Sequence, residues 1–144
     1  MEIKNKKAYF DYYIEREIES GIVLKGTEIK SIRKGSANLN DCYVRIKDKQ
    51  AFIINMYIAK YEEGNRFNHE ERQTRKLLLH KKEIIKLGEE AEREGFTLIP
   101  LKLYLKNGKA KILIGVCKGK HLYDKRRVLK EKSLEKEARN NHAY

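Results

Sequence analysis

The dipeptide Asn107-Gly108 limits the possible folds of this chain more than any other feature. Asn-Gly is the strongest short signal for a two-residue type I′ turn, because both central residues must take positive φ. Before it, residues 97–106 alternate Ile99, Leu101, Leu103 and Leu105 with Pro100, Lys102, Tyr104 and Lys106. After it, residues 110–117 place Ile112, Ile114 and Val116 on one face. A period of two on both sides predicts an antiparallel hairpin with one face toward a core. Pro100 has no N–H to give to a ladder, so a sheet edge or a bulge is expected there.

Weaker period-2 patterns extend the β reading. Residues 9–18 would put Tyr12, Ile14 and Ile18 on one face, with Arg16 interrupting it. Residues 43–47 alternate Val44 and Ile46 with Arg45 and Lys47. Residues 51–58 would align Phe52, Ile54, Met56 and Ile58, after a turn at Asp48-Lys49. Two helices are predicted, at 27–34 with Thr27 as N-cap and Gly35 just past the end, and at 81–94 with Ile84, Leu87 and Ala91 inward and Gly95 ending it. Residues 61–74 are polar and turn-rich and read as a mobile loop. About six short strands with two helices predict a mainly β fold of the α+β kind, a small closed or nearly closed β-barrel.

Charge narrows the function. Among 144 residues, 33 Lys+Arg face 21 Asp+Glu, a formal +12. Such an excess favours a polyanionic partner, nucleic acid or an acidic membrane surface. No apolar run approaches the ~18 residues of a spanning helix, and the N-terminus lacks an apolar signal segment. The chain reads as cytoplasmic. Cys42 and Cys117 have no CxxC partner and read as small buried hydrophobes, with neither a disulfide nor a metal expected. The excess is uneven: residues 118–144 carry +5 and residues 1–117 carry +7. Apolar residues thin out after Cys117, so the chain divides into a domain at 1–120 and a basic tail at 121–144. That tail is expected to be loosely ordered alone and to fold on a partner.

Catalytic signatures are missing: the four histidines form no HExxH or other ligand pair, and no GxSxG, P-loop or GxGxxG occurs. Four clusters that interleave basic residues with aromatics or glycines say more. They are Asn5-Lys6-Lys7 with Tyr9, Phe10 and Tyr12; Lys25 to Gly35; Arg72 to Lys76; and Lys118-Gly119-Lys120 with Tyr123 to Arg127. Cations attract phosphates, glycines admit close backbone approach, and aromatics stack on unpaired bases. Glu28 is the one acid of the second cluster. It can accept from a base amino group, hold a cation, or serve as a first-turn acid favoured by the helix dipole.

In their order and spacing these clusters resemble the SsrA-binding protein family, SmpB. The segments that carry the likeness are NKKAYFDYYI at 5–14, GIVLKGTEIKSIRKG at 21–35, RKLLLHKKEI at 75–84, GFTLIPLKLY at 95–104 and KGKHLYDKR at 118–126. His121 stands where the family pattern has a lysine. The resemblance implies an oligonucleotide-binding-type barrel that holds the tRNA-like domain of transfer-messenger RNA at its elbow. It further implies a place in trans-translation, with the ribosome, alanyl-transfer-messenger RNA and elongation factor Tu as partners of a monomer that catalyses no step and uses no cofactor. By motif, the RNA face would contain Asn5, Lys7, Tyr12, Glu28, Lys30, Ser31, Arg33, Arg75, Lys76, Gly119 and Lys120. The tail, with Tyr123, Asp124, Lys125, Arg126, Arg127, Lys130 and Lys132, would turn helical in the empty messenger channel at the decoding centre. On residues alone two other readings stay open. One is a general single-stranded or ribosomal RNA-binding module; the other is an RNA-processing enzyme using Glu15, Glu17 or Glu28 with a divalent metal.

Overall fold

A computed structural model describes residues 1–120, with main chain alone at 64–66. The expected tail, including His121 and every tail residue named above, lies outside the described residues. The strands are β1 (Glu2–Lys4), β2 (Tyr12–Ile22), β3 (Ala37–Asn38), β4 (Tyr43–Lys47), β5 (Gln50–Ile54), β6 (Tyr57–Ile58), β7 (Arg75–Leu78), β8 (Phe96–Lys106) and β9 (Lys109–Gly119). The helices are α1 (Lys6–Asp11), α2 (Gly26–Arg33) and α3 (Lys81–Glu92). Seven strands form one antiparallel sheet in the order β1-β8-β9-β2-β7-β5-β4, and β3 pairs with β6 separately. The sheet curls until β4 packs beside β8, yet no ladder joins its two edges, so the barrel is open rather than closed.

Both predicted hairpins form. Asn107 and Gly108 have φ of 53° and 76°, and Asp48 and Lys49 have 52° and 59°. Positive φ at both central residues is the I′ geometry that matches strand twist. Inside the sheet lies a core that includes Ile32, Leu39, Ile53, Met56, Leu77, Leu87, Leu98, Leu103, Ile112 and Ile114.

The facing of several strands differs from a simple period of two, and each departure has a local cause. In β8 the register slips between Pro100 and Lys102. Phe96 and Leu98 on one side of the slip, and Leu103 and Leu105 on the other, therefore all meet the main core. Ile99 and Leu101 turn to the outer face, where they join Ala8 and Cys117 in a second small core beneath α1. In β2 a slip between Ile14 and Arg16 does the same: Tyr12 and Ile14 pack under α1 while Ile18 packs on the main core. In β5 the inward residues are Ala51 and Ile53, not Phe52 and Ile54. Asn55, at φ 68°, ends that strand and re-aims the chain, so Met56 and Ile58 are buried after all.

The predicted strand at 9–18 begins only at Tyr12, because residues 6–11 form α1, whose N-cap Asn5 accepts from the Ala8 N–H at 3.1 Å. α2 starts at Gly26, with Lys25 rather than Thr27 in the cap position, and Gly35 follows its end at φ 75°. α3 stops at Glu92, and Phe96 packs back on the core under the Arg93 guanidinium, 3.8 Å above its ring. Gly115 is required by contact: a Cβ there would lie 2.6 Å from Leu101 Cδ1, in the layer under α1. Both cysteines are free and buried, and burial pushes each thiol up to about 12. Neither is a nucleophile at neutral pH.

Candidate nucleic-acid interface

The RNA-face residues expected from sequence divide by depth. Lys7, Lys30, Arg33 and Lys76 are exposed; Tyr12, Gly119 and Lys120 are half-buried; Asn5, Glu28, Ser31 and Arg75 are buried. The last four lie beneath the surface.

Glu28 and Arg75 form an ion pair whose side chains are 1% and 2% exposed. One Glu28 oxygen accepts from Arg75 Nε, and the other accepts the Lys25 backbone N–H at 2.8 Å, closing the first turn of α2. Arg75 spends its remaining donors on the carbonyls of Met56 at 2.7 Å, Glu71 at 3.1 Å and Glu70 at 3.3 Å. Two charges taken from water are tolerable only when hydrogen bonds replace those lost, and here each buried nitrogen and oxygen of the pair has at least one partner. Of the readings open for Glu28, the helix-capping one describes its contacts. Asn5 is spent similarly: its side-chain amide donates to the carbonyls of Pro100 at 2.9 Å and Leu39 at 3.3 Å. The Ser31 carbonyl takes the Ser36 N–H at 2.9 Å, in the turn that ends α2.

What this scaffold presents is a set of cations beside aromatic rings. On the exposed side of α2, Lys30 Nζ and Lys34 Nζ lie 5.4 and 4.8 Å from the centre of the Tyr61 ring. Lys34 also pairs with Glu63 at 3.6 Å. Arg72 lies 5.2 Å over Tyr57, and Lys120 lies 5.1 Å over Tyr13. Around α1, a shallow pocket of about 150 Å³ brings together Asn5, Lys7, Tyr12 and Asp41. Phe10 stands 81% exposed on α1. Solvent-accessible cations set beside rings, with ring surface left open, suit a polyanion with accessible bases.

His69, given no role from sequence, holds the 61–74 segment in place. It is 1% exposed, with Nε2 2.9 Å from the Ile58 carbonyl and Nδ1 2.9 Å from the Thr27 hydroxyl. A carbonyl only accepts, so Nε2–H donates to Ile58. The segment expected to be a mobile loop is thus tied to α2 and β6, and Asn68 adds a bond from the Tyr61 N–H at 3.0 Å. No pattern in the sequence marks His69, because its partners lie 42 and 11 residues away.

Two of the three acids of the metal reading are otherwise engaged. Glu15 pairs with Arg93 and Glu28 with Arg75. Among the described residues no group of three His, Cys, Asp or Glu side chains is placed to hold a metal ion, and no helix is long and apolar enough to cross a membrane.

Comparison with known proteins places this geometry. The SmpB protein family model matches residues 2–143. The SsrA-binding protein of Staphylococcus haemolyticus is 61% identical over 134 residues, 93% of this chain and 86% of that one. Its counterpart from Staphylococcus saprophyticus is 59% identical over the same length, covering 87% of the relative. A solved chain from a study of tmRNA–SmpB at the centre of the bacterial ribosome superposes with a TM-score of 0.72 at 43% identity, covering 83% of this chain and 84% of that one. A basic, ring-studded open barrel and a likeness that runs nearly end to end agree: this chain belongs to the SmpB protein family.

Proposed function

We propose that this chain binds the tRNA-like domain of transfer-messenger RNA and delivers it to stalled ribosomes for trans-translation, acting in the cytoplasm by binding and not by catalysis. The observation that carries the reading is the 61% identity to an SsrA-binding protein across 93% of the chain. The cation–ring arrangement on α2 and around α1 supports it. In this reading Lys7, Tyr12, Lys30, Arg33, Lys76, Gly119 and Lys120 meet the RNA. Asn5, Glu28, Ser31 and Arg75 hold those residues in place from beneath. Residues 1–120 act as the RNA-binding domain, and residues 121–144 as the probe of the empty messenger channel.

Deletion of residues 123–144 tests the division of labour. Affinity for the tRNA-like RNA should stay within a few-fold of the full chain, measured by filter binding, while peptide tagging in a reconstituted translation system is abolished. Parallel loss of both activities would overturn it. Binding by the intact chain should also weaken steeply with salt, as when several phosphates are neutralised.

A further inference from the structure

We infer that the outer face of β4, β5 and β7 is a second RNA surface, one that takes an unpaired strand and shares only Lys76 with the face proposed above; this goes beyond the transfer-messenger RNA reading and does not depend on it. Strand register builds the face. Arg45 is paired across to Phe52, and Phe52 across to Lys76, so one ring lies between two cations in a row over three strands. Two strand spacings put the ends of that row about 10 Å apart. Alternation places Tyr43 and Lys47 on the same side as Arg45, and Leu78 on the same side as Lys76, while Val44, Ile53 and Leu77 point into the core.

Beside the row, between the β4–β5 turn and the start of α3, lies an open cleft of about 440 Å³. Lys49, Lys76 and Lys81 line it together with Gln50, Leu78 and Ile84, and no carboxylate does. Arg45, Lys47, Lys49, Lys76 and Lys81 form no salt bridge with any described residue. Five cations without an ion pair on and beside this open face, against the one carboxylate of Asp48 in the β4–β5 turn, set its partner's charge as negative. They also exclude this chain's own tail, which carries +5 over residues 118–144.

The rings and aliphatics decide the class of polyanion. Leu78 is 52% exposed and Tyr43 43%, and Phe52 is half-buried between its cations. Base faces are available to such a surface only in unpaired RNA, since a duplex hides them in its stack. A cleft of this volume is within the range that holds a ligand of nucleotide size. Phosphates therefore lie along Arg45, Lys76 and the cleft lysines, and a base stacks on Phe52.

The test compares the full chain with the triple variant Arg45→Ala/Lys49→Ala/Lys81→Ala, which changes only exposed positions outside the proposed transfer-messenger RNA face. Fluorescence anisotropy with an unstructured oligouridylate should show about a tenfold or greater loss of affinity, and the salt slope should fall by about 2. Affinity for the tRNA-like RNA should stay within about threefold, so failure here is distinguishable from failure of the function proposed above. Phe52→Leu keeps the apolar bulk and removes the ring; it should cost at least about fivefold on the oligouridylate with the salt slope unchanged. The tail is present in every protein compared, so only the differences report on this face. An unchanged oligouridylate affinity in the triple variant would overturn the proposal. So would equal capture of polyglutamate, which has the charge but no base to stack.

Discussion

The two outer faces of this sheet are made from the same strand chemistry and have opposite fates. Over β8, β9 and β2 the outer face is covered. α1 lies on Ile99, Leu101 and Cys117, and beyond the helix the surface is laced by Glu2–Lys102 and Glu19–Lys106 pairs and by the Tyr104 hydroxyl on Glu19. Over β4, β5 and β7 no described helix covers the sheet, and its cations make no ion pair with any described residue. The covered face satisfies itself and adds stability; the open face leaves its cations to water and to any outside anion. β7 compresses the contrast into neighbours: Arg75 is buried against Glu28, while Lys76 faces water.

That contrast can be broken by substitution. The largest effect is expected from Glu28→Ala, which strands the Arg75 guanidinium in the interior and should cost about 3–5 kcal/mol in urea unfolding. Any loss of RNA binding should then follow the lost folded fraction. Wild-type stability in this variant would mean that the pair does not hold the scaffold. Leu101→Ala empties the layer between α1 and the sheet and should cost about 2–5 kcal/mol; a cost near zero would show that α1 covers this face without being packed on it.

A smaller, pH-dependent effect is expected where α3 meets β2. The hydrogen bond from Arg16 holds the Glu90 carboxyl below its ordinary range, against the opposing effect of burial. A carboxyl with a lowered folded pKa stabilises above its unfolded value of about 4.3 and loses that stabilisation as pH falls through the folded value. The Tm advantage of wild type over Glu90→Gln should therefore be present at neutral pH and vanish in strong acid; a gap that persists there would show that the contact is not an ion pair. Smallest of all, Arg45→Ala on the open face should change stability by less than about 0.5 kcal/mol. A larger loss would show that this face is structural and erase the distinction between the two.

How much of this was legible beforehand depends on the range of the interaction. Asn107-Gly108 and Asp48-Lys49 announced their hairpins because a type I′ turn is specified by the two residues inside it. α3 was visible in the spacing of Ile84, Leu87 and Ala91. α1 escaped because six residues are too few to show a period, although Asn5 carried its capping signal. The facing of β2, β5 and β8 went astray for one physical reason: a single extra residue, or a residue at positive φ, inverts every side chain after it. Glu28 could be read as an RNA contact or a cap, since only folding brings in Arg75, 47 residues away. The seven exposed or half-buried residues of the expected RNA face follow from the family likeness, whereas the row Arg45–Phe52–Lys76 exists only once three strands are in register.

Pro100 has a consequence for solubility. β1 covers β8 only from Lys102 to Tyr104, which leaves a stretch of strand edge beside the opening of the barrel. At that stretch Pro100 has no N–H, its carbonyl is taken by the Asn5 side chain at 2.9 Å, and the next carbonyl takes the Asn5 N–H at 2.8 Å. An intruding strand finds neither donor nor acceptor at this point, which is how natural sheets keep their edges from recruiting one another. At this stretch the β8 side of the opening is therefore closed to edge-to-edge pairing.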